Sequence, residues 1–389
     1  MIPYGKQEII QQDIDAVVDV LQSDFLTQGP QVPLFEKSIK DAVNADYVFA
    51  VNSATSALHI ACLALGVGKG DVVWTTPITF VASANCALYC GADIDFVDID
   101  SKTYNLSPEL LEQKLIHAKQ NSLPLPKVVI PVHLCGQPCE MEQIHRLSKE
   151  YGFSIIEDAS HAIGGKYQSN PIGNCEYSDI TVFSFHPVKI VTTAEGGAAT
   201  TNSPEIASKL ELLRSHGITR DVTLMKNESH GGWYYEQVDL GFNYRMTEMQ
   251  AALGVSQMSR LHDFVAQRNN LATRYDELLK GFPLITPFQI TDSYSGRHLY
   301  VIRLELSAIS LSHKEVFDLL REKGIGVNLH YIPVHLQPYY KGLGFKEGQL
   351  PVAENYYKNA ISIPLFHAMS EDQQNEVVKI LTNILFEKE

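Results

Sequence analysis

The chain has 389 residues, 45% of them hydrophobic and 20% charged, with a formal net charge of −14 and six cysteines. That length can bury a large core in two to three domains. The acidic balance argues against a nucleic-acid binder, which needs a basic face, and six cysteines in so long a chain do not suggest a disulfide scaffold.

The first twenty residues carry Lys6, Glu8, Asp13, Asp15 and Asp19 and read as no signal peptide. No run of about eighteen apolar residues is present to span a membrane. A cytoplasmic, reducing location is the expectation. Ile9, Ile10, Ile14, Val17, Val18 and Leu21 recur at helical spacing and predict a helix over 8–22. Gly29-Pro30 breaks the chain, 35–43 reads as a short helix, and 47–51 as a buried strand. Asn52-Ser53-Ala54-Thr55-Ser56 then opens a helix that runs to about residue 65. Small hydroxyl residues at that junction offer backbone N–H groups, side-chain donors and the positive end of a helix dipole, which together make a phosphate cradle. Simple N-capping by Ser53 or Thr55 explains the same residues.

Gly66-Val67-Gly68-Lys69-Gly70 follows a helix and precedes a strand, the reverse of the dinucleotide fingerprint, and reads as a turn. Strands are predicted at 72–75, 94–98, 128–133 and 154–158, with helices at 81–90, 108–118 and 140–151 between them. Alternation of this kind makes βαβ units and a mostly parallel sheet. Cys86 and Cys90 have i,i+4 spacing that a metal could use, but no matching Cys or His pair sits nearby, and small buried thiols account for them. No metal is expected.

Ser154-Ile155-Ile156-Glu157-Asp158 is an apolar run ending in two carboxylates. A buried aspartate is costly unless it faces a cation, and the ring nitrogen of pyridoxal 5'-phosphate (PLP) is one such cation. Capping of the next helix is the alternative. Ile180-Thr181-Val182-Phe183 is another buried strand, followed by Ser184-Phe185-His186-Pro187-Val188-Lys189 and the paired glycines Gly196-Gly197 before a strand at 198–200. A lysine on a loop between buried strands loses hydration, and its neutral amine can form an imine with a carbonyl compound. A lysine that snorkels to solvent fits the same stretch.

Beyond this point, 204–214 reads as a helix, 221–233 as a polar loop or lid, and 247–280 as one helical stretch. Strands at 299–304 and 326–330 and helices at 314–323, 350–360 and 371–386 form a smaller α+β part. The expected organisation is a large cofactor-binding domain over 1–250, with segment 1–30 contributing to the substrate site, and a small domain over 251–389.

Taken together, Asn52-Ser53-Ala54-Thr55, Pro77-Ile78-Thr79-Phe80, Glu157-Asp158-Ala159-Ser160-His161, Ser184-Phe185-His186-Pro187-Val188-Lys189, Gly241-Phe242-Asn243-Tyr244-Arg245 and His330-Tyr331-Ile332-Pro333-Val334-His335 resemble the motifs of the DegT/DnrJ/StrS sugar-nucleotide aminotransferases. The resemblance covers essentially the whole chain. It implies the α/β fold of PLP-dependent transferases of fold type I (aspartate aminotransferase-like), a mostly parallel sheet flanked by helices, with a smaller α+β C-terminal domain. Within the family the wording of Ser23-Asp24-Phe25-Leu26-Thr27-Gln28-Gly29-Pro30 and Pro131-Val132-His133-Leu134-Cys135-Gly136-Gln137 is closest to the pseudaminic acid branch. That likeness implies a UDP-linked 4-keto sugar as acceptor and L-glutamate as donor.

Carried over by position, the resemblance implies that Lys189 is the Schiff-base lysine and proton shuttle and that Asp158 holds the pyridinium nitrogen. His161 would lie near the phenolic oxygen, and Phe80 would stack on the ring. Thr55, the backbone of Ala54, and Ser184 would bind the phosphate. Asn243 would reach the phosphate from a neighbouring subunit, which requires a homodimer. Arg245 and His330, with Thr27 and Tyr331, would contact the substrate. The family usually has glycine where Ala54 stands. A sugar dehydratase of the same family would carry histidine in place of Lys189, and a regulatory member would have lost Lys189 or Asp158. Both residues are present.

Overall fold

A computed structural model describes residues 1–386. Its centre is a seven-stranded sheet of β1 (Tyr47–Val51), β2 (Val72–Thr75), β3 (Asp93–Phe96), β4 (Val128–Ile130), β5 (Ser154–Asp158), β6 (Ile180–Ser184) and β7 (Gly197–Thr201), in the spatial order β1-β7-β6-β5-β4-β2-β3. From β6 to β3 every neighbouring pair is parallel. β7 runs antiparallel to both β1 and β6. The connection from β6 to β7, residues 185–196, contains no helix, and a parallel return needs a crossover that usually is one. The chain therefore turns back beside β6, and Lys189 sits in that turn.

Both faces of the sheet are covered, as its continuous apolar strands require. Val182 packs into the cluster that holds Val51, Leu58, Ile60 and Ile130, while its neighbour Phe183 packs with Phe35, Ile39, Phe185 and Phe264 on the opposite face. The helix Ala54–Ala64 is buried from Ser56 through Cys62, as expected for a helix apolar all round. Helices Pro108–Gln120 and Pro204–Arg214 each begin with proline in the first turn after a serine cap.

C-terminal to these, Tyr300–Leu304 pairs antiparallel with both Leu284–Ile285 and Ala360–Ile363. Helices Leu261–Leu278, His313–Glu322 and Glu371–Phe386 pack on this small sheet around Tyr300, Ile302, Leu320 and Leu381. The N-terminus is tied here too: Ile2 N–H donates to Gly324 O at 2.8 Å and Gly326 N–H to Ile2 O at 2.7 Å.

Two sequence expectations need correction. The second long strand is Ala360–Ile363, not 326–330, which makes only an isolated bridge from Asn328 to Ser362. Helix Pro351–Tyr357 ends early, and the alternating Ala360-Ile361-Ser362-Ile363 that follows has strand periodicity. The stretch 247–280 is two helices, Glu248–Met258 and Leu261–Leu278. The break falls where Arg260 turns to Asp13 at 2.6 Å and Glu8 at 3.2 Å, so tertiary ion pairing overrides a helical pattern.

Candidate active site

The carboxyl ends of β1, β2, β5 and β6 open on one cavity of about 450 Å³. Crevices at strand carboxyl ends are where open α/β sheets bind ligands. Ser53, Ala54 and Thr55 enter it from the start of helix Ala54–Ala64, Asp158 from the end of β5, and Ser184 from the end of β6. The loop after β2 adds Thr79 and Phe80, and the following helix adds Ser83.

The helix start is held close to the sheet. Ser53 caps it by accepting from Ser56 N–H at 3.1 Å. At Gly197 a Cβ would lie 2.5 Å from Ala54 N, so any side chain on β7 there would push the helix N-terminus away. The result is a row of free N–H groups with the Thr55 and Ser184 hydroxyls beside them, a donor set that suits a phosphate.

Asp158 is 4% exposed. Its Oδ1 accepts from Ser160 N–H at 3.1 Å and from Ser160 Oγ–H at 2.6 Å, and its Oδ2 accepts from Ser83 Oγ–H at 2.6 Å. Thr79 Oγ1 lies 2.7 Å from Ser83 Oγ and steadies it. A carboxylate has about four acceptor positions, so capacity remains toward the cavity. No Lys, Arg or His forms an ion pair with Asp158 among the described residues. A buried carboxylate so placed gains most from a cationic ligand.

Lys189 reaches the same cavity. Burial lowers its amine pKa to about 8, partly opposed by the negative charge of Asp158. Three histidines stand round it. His161 Nδ1 accepts from Cys135 N–H at 3.2 Å, so its proton is on Nε2, which donates to the Tyr331 hydroxyl oxygen at 3.2 Å. That leaves the Tyr331 proton free to point elsewhere. His330 Nδ1 bonds Ser362 Oγ at 2.7 Å, and His298 packs on His161 with ring centres 4.4 Å apart. Burial holds His161 and His298 well below the ordinary histidine pKa, and His330 at about 3. All three are neutral at physiological pH. Burial pushes Tyr331 up, so it remains a phenol. Phe80, 59% exposed, edges the opening 6.4 Å from the Tyr331 ring.

Of the residues singled out by sequence, Ala54, Thr55, Phe80, Asp158, His161, Ser184, Lys189, His330 and Tyr331 share this cavity. Thr27, Asn243 and Arg245 do not line it within one chain. Thr27 and Asn243 are exposed, and Arg245 Nη1 donates to Ser215 Oγ at 2.9 Å. Sequence reasoning missed Tyr4, Ser83, Ser160 and His298, all of which line the cavity. Ser160 lay inside a quoted motif and was readable as a partner of Asp158. The other three arrive by tertiary contact alone.

The residues fit PLP by the chemistry of the donor set: an amine of lowered pKa, a buried carboxylate without an ion pair, and a helix N-terminus ringed by hydroxyls. Among the described residues no group of three or more His, Cys, Asp or Glu is placed to hold a metal, and no helix is long and apolar enough to cross a membrane.

Comparison with known proteins gives a consistent result. The pattern of the DegT/DnrJ/EryC1/StrS aminotransferase family matches residues 7–382. The spore coat polysaccharide biosynthesis protein SpsC of Bacillus subtilis is 38% identical over 387 residues, 99% of this chain and 97% of that protein. The UDP-4-amino-4,6-dideoxy-N-acetyl-beta-L-altrosamine transaminase of Campylobacter jejuni is 37% identical over 386 residues, 99% of this chain and 98% of that one. Among solved structures, Helicobacter pylori PseC, an aminotransferase involved in the biosynthesis of pseudoaminic acid, superposes with a TM-score of 0.90 at 30% identity, covering 99% of each chain.

Proposed function

The chain belongs to the DegT/DnrJ/EryC1/StrS aminotransferase family, and from that premise we propose that it moves an amino group from L-glutamate to C4 of UDP-2-acetamido-2,6-dideoxy-β-L-arabino-hex-4-ulose, a step in pseudaminic acid biosynthesis. It is a PLP-dependent sugar aminotransferase; the donor, the sugar and the residue roles are our reading. One observation carries the residue roles: Lys189, with its pKa lowered to about 8, shares a cavity with the buried carboxylate of Asp158, which has no ion pair among the described residues; the choice of sugar leans on the likeness to the Campylobacter jejuni transaminase and to Helicobacter pylori PseC.

PLP supplies the carbonyl that takes up the amino group and a ring that spreads the electrons released at the reacting carbon. In this reading Lys189 Nζ holds the cofactor and then carries the proton between the reacting carbons. A pKa near working pH suits both directions of that transfer. Asp158 keeps the ring nitrogen protonated, while Ser83 and Ser160 hold the carboxylate in place. Ser184, Thr55 and the Ala54 N–H hold the phosphate. Phe80 covers the ring, and His161 with Tyr331 serves the phenolic oxygen. His330, Tyr331, Arg245 and Thr27 contact the sugar nucleotide. Asn243 and Arg245 act from the second subunit of a homodimer, which accounts for their position outside the cavity of their own chain. A cytoplasmic setting belongs to the same reading.

A second reading, another nucleotide-linked 4-keto sugar, is favoured by the equal similarity to SpsC, whose name places it in spore coat polysaccharide biosynthesis. A half-reaction tests the donor. Holoenzyme mixed with L-glutamate alone should lose the visible absorbance of its cofactor and release one 2-oxoglutarate per site. Turnover with another amino acid but not glutamate would overturn the donor assignment.

A further inference from the structure

A second cleft lies outside the active-site cavity, between residues 101–104 and 285–289. Its outer chamber measures about 540 Å³, and an inner pocket of about 20 Å³ shares its Lys102, Tyr104 and Phe288 walls. The charged side chains lining the two are Lys102, Arg297, Arg303 and Asp276, three cations against one carboxylate. Asp276 accepts from the Tyr300 hydroxyl at 2.5 Å and attracts Arg297 without forming an ion pair with it among the described residues, so the lining keeps a surplus of positive charge.

Arg297 is the unusual member. It is 6% exposed, and its enclosed Nε has no hydrogen-bond partner among the described residues. Its backbone N–H donates to Ser295 Oγ at 3.0 Å and its carbonyl accepts from Arg268 Nη1 at 3.4 Å, while among the described residues its guanidinium makes no hydrogen bond or close ion pair and feels only the more distant charge of Asp276. Gln137, 4% exposed and lining the same inner pocket, leaves its Oε1 without a donor. Arg303 adds a third orphan: its Nε is enclosed and unpaired, and its guanidinium lies 5.3 Å from the Tyr104 ring centre.

Burying a guanidinium without a close ion pair or a full set of hydrogen bonds is costly, and a charge so placed is retained when something pairs with it. A pocket of about 20 Å³ holds a single water, which satisfies a hydrogen bond but neutralises nothing. An anionic oxygen does both. We propose that this cleft binds a small molecule through an anionic phosphate or carboxylate group, held by Arg297, Arg303 and Lys102, with its body against the Tyr104 and Phe288 rings. The chamber is large enough for a ligand of metabolite size. Arg297 and Arg303 supply the planar fork that recognises either group. The site does not depend on the roles given to Lys189 and Asp158.

The test is calorimetric titration of PLP-saturated holoenzyme, whose cofactor-phosphate cradle is filled, with orthophosphate and separately with malonate at low ionic strength. One saturable site per chain is expected for at least one of them, and the tighter of the two identifies the anionic group. Arg297→Met and, separately, Lys102→Ala should each weaken it by about tenfold or more, and Lys37→Ala, at an exposed lysine that lines neither cavity, should leave it unchanged. Lys102 is exposed, so its variant keeps the test valid where Arg297→Met fails to fold. Absence of saturable binding by either anion, or binding unchanged in Lys102→Ala and in folded Arg297→Met, would overturn the proposal.

Discussion

Replacing Asp158 by asparagine removes one charge and almost no volume. In the protein alone, the carboxylate makes three hydrogen bonds, to Ser160 N–H, Ser160 Oγ–H and Ser83 Oγ–H. The asparagine oxygen can keep the two Ser160 bonds, each weaker by about 1 kcal/mol for the lost charge, while its amide NH2 faces Ser83 Oγ, which must turn from donor to acceptor. Relief of the buried, unpaired charge offsets much of that loss, so the fold should change in stability by no more than about 2 kcal/mol. Catalysis should respond differently. With the cofactor bound, the same change removes one partner of a buried charge pair, worth about 3–5 kcal/mol, or roughly two to four orders of magnitude in rate. The assay is kcat and KM for both half-reactions, with the thermal midpoint as control. A fall of about a thousandfold in kcat with a near-native midpoint is expected. Asp158 is also the foremost group raising the Lys189 pKa against burial, so Lys189 in the variant apoprotein should titrate below about 8. A rate within about tenfold of the parent would mean that another residue faces the ring nitrogen.

Lys189→Ala should abolish transamination and the covalently held cofactor while leaving the circular dichroism unchanged; turnover at a comparable rate would assign the amine elsewhere. The folded apoprotein holds Lys189 at about 8, below the ordinary lysine value. Between those two pH values the unfolded chain therefore binds a proton that the native chain does not, and stability from this group rises with pH across the window. Denaturant unfolding of apoprotein at about pH 8 and about pH 10 should show that rise, and Lys189→Met should flatten it. Tyr331→Phe should slow turnover by about tenfold without a new pH dependence near neutrality, because His161, its partner, is neutral there; an unchanged rate would remove the hydroxyl from the reaction. Mixing Lys189→Ala with a chain substituted at both Asn243 and Arg245 should restore up to about a quarter of parent activity, since half the dimers are mixed and each has one intact site of two. No recovery despite subunit exchange would place both residues in their own chain's site.

The parallel sheet was legible because its strands are short apolar runs buried on both faces, separated by helices that start at recognisable caps such as Ser53 and Ser107. Lys189, Asp158 and the Ser53 helix start were legible for a related reason: polar groups at the ends of apolar strands have few places to go. Contacts made by distant segments left no local signal. Tyr4 reaches the cavity because Ile2 is pinned against Gly324 and Gly326, and nothing near residue 4 announces that partner. Ser83 sits on a helix of small residues, where one hydroxyl bonded to Asp158 looks like its neighbours. Arg260 shows the converse, since a sound helical pattern gave way to ion pairs with Glu8 and Asp13. The strand at Ala360–Ile363 was hidden behind a helix that stops three residues earlier than the periodicity suggested.

The central claim, amino transfer to C4 of a UDP-linked 4-keto-6-deoxy-N-acetyl hexose, is tested most directly by the product. Holoenzyme, L-glutamate and a panel of UDP- and dTDP-linked 4-keto sugars should be incubated together and each product analysed by mass spectrometry and NMR. The expected product is a UDP-4-amino-4,6-dideoxy-N-acetyl sugar of β-L-altro configuration, with the nitrogen on C4 and the UDP intact. Amination of a different 4-keto sugar alone would contradict the substrate assignment, and no amination of any member of the panel would contradict the claim itself.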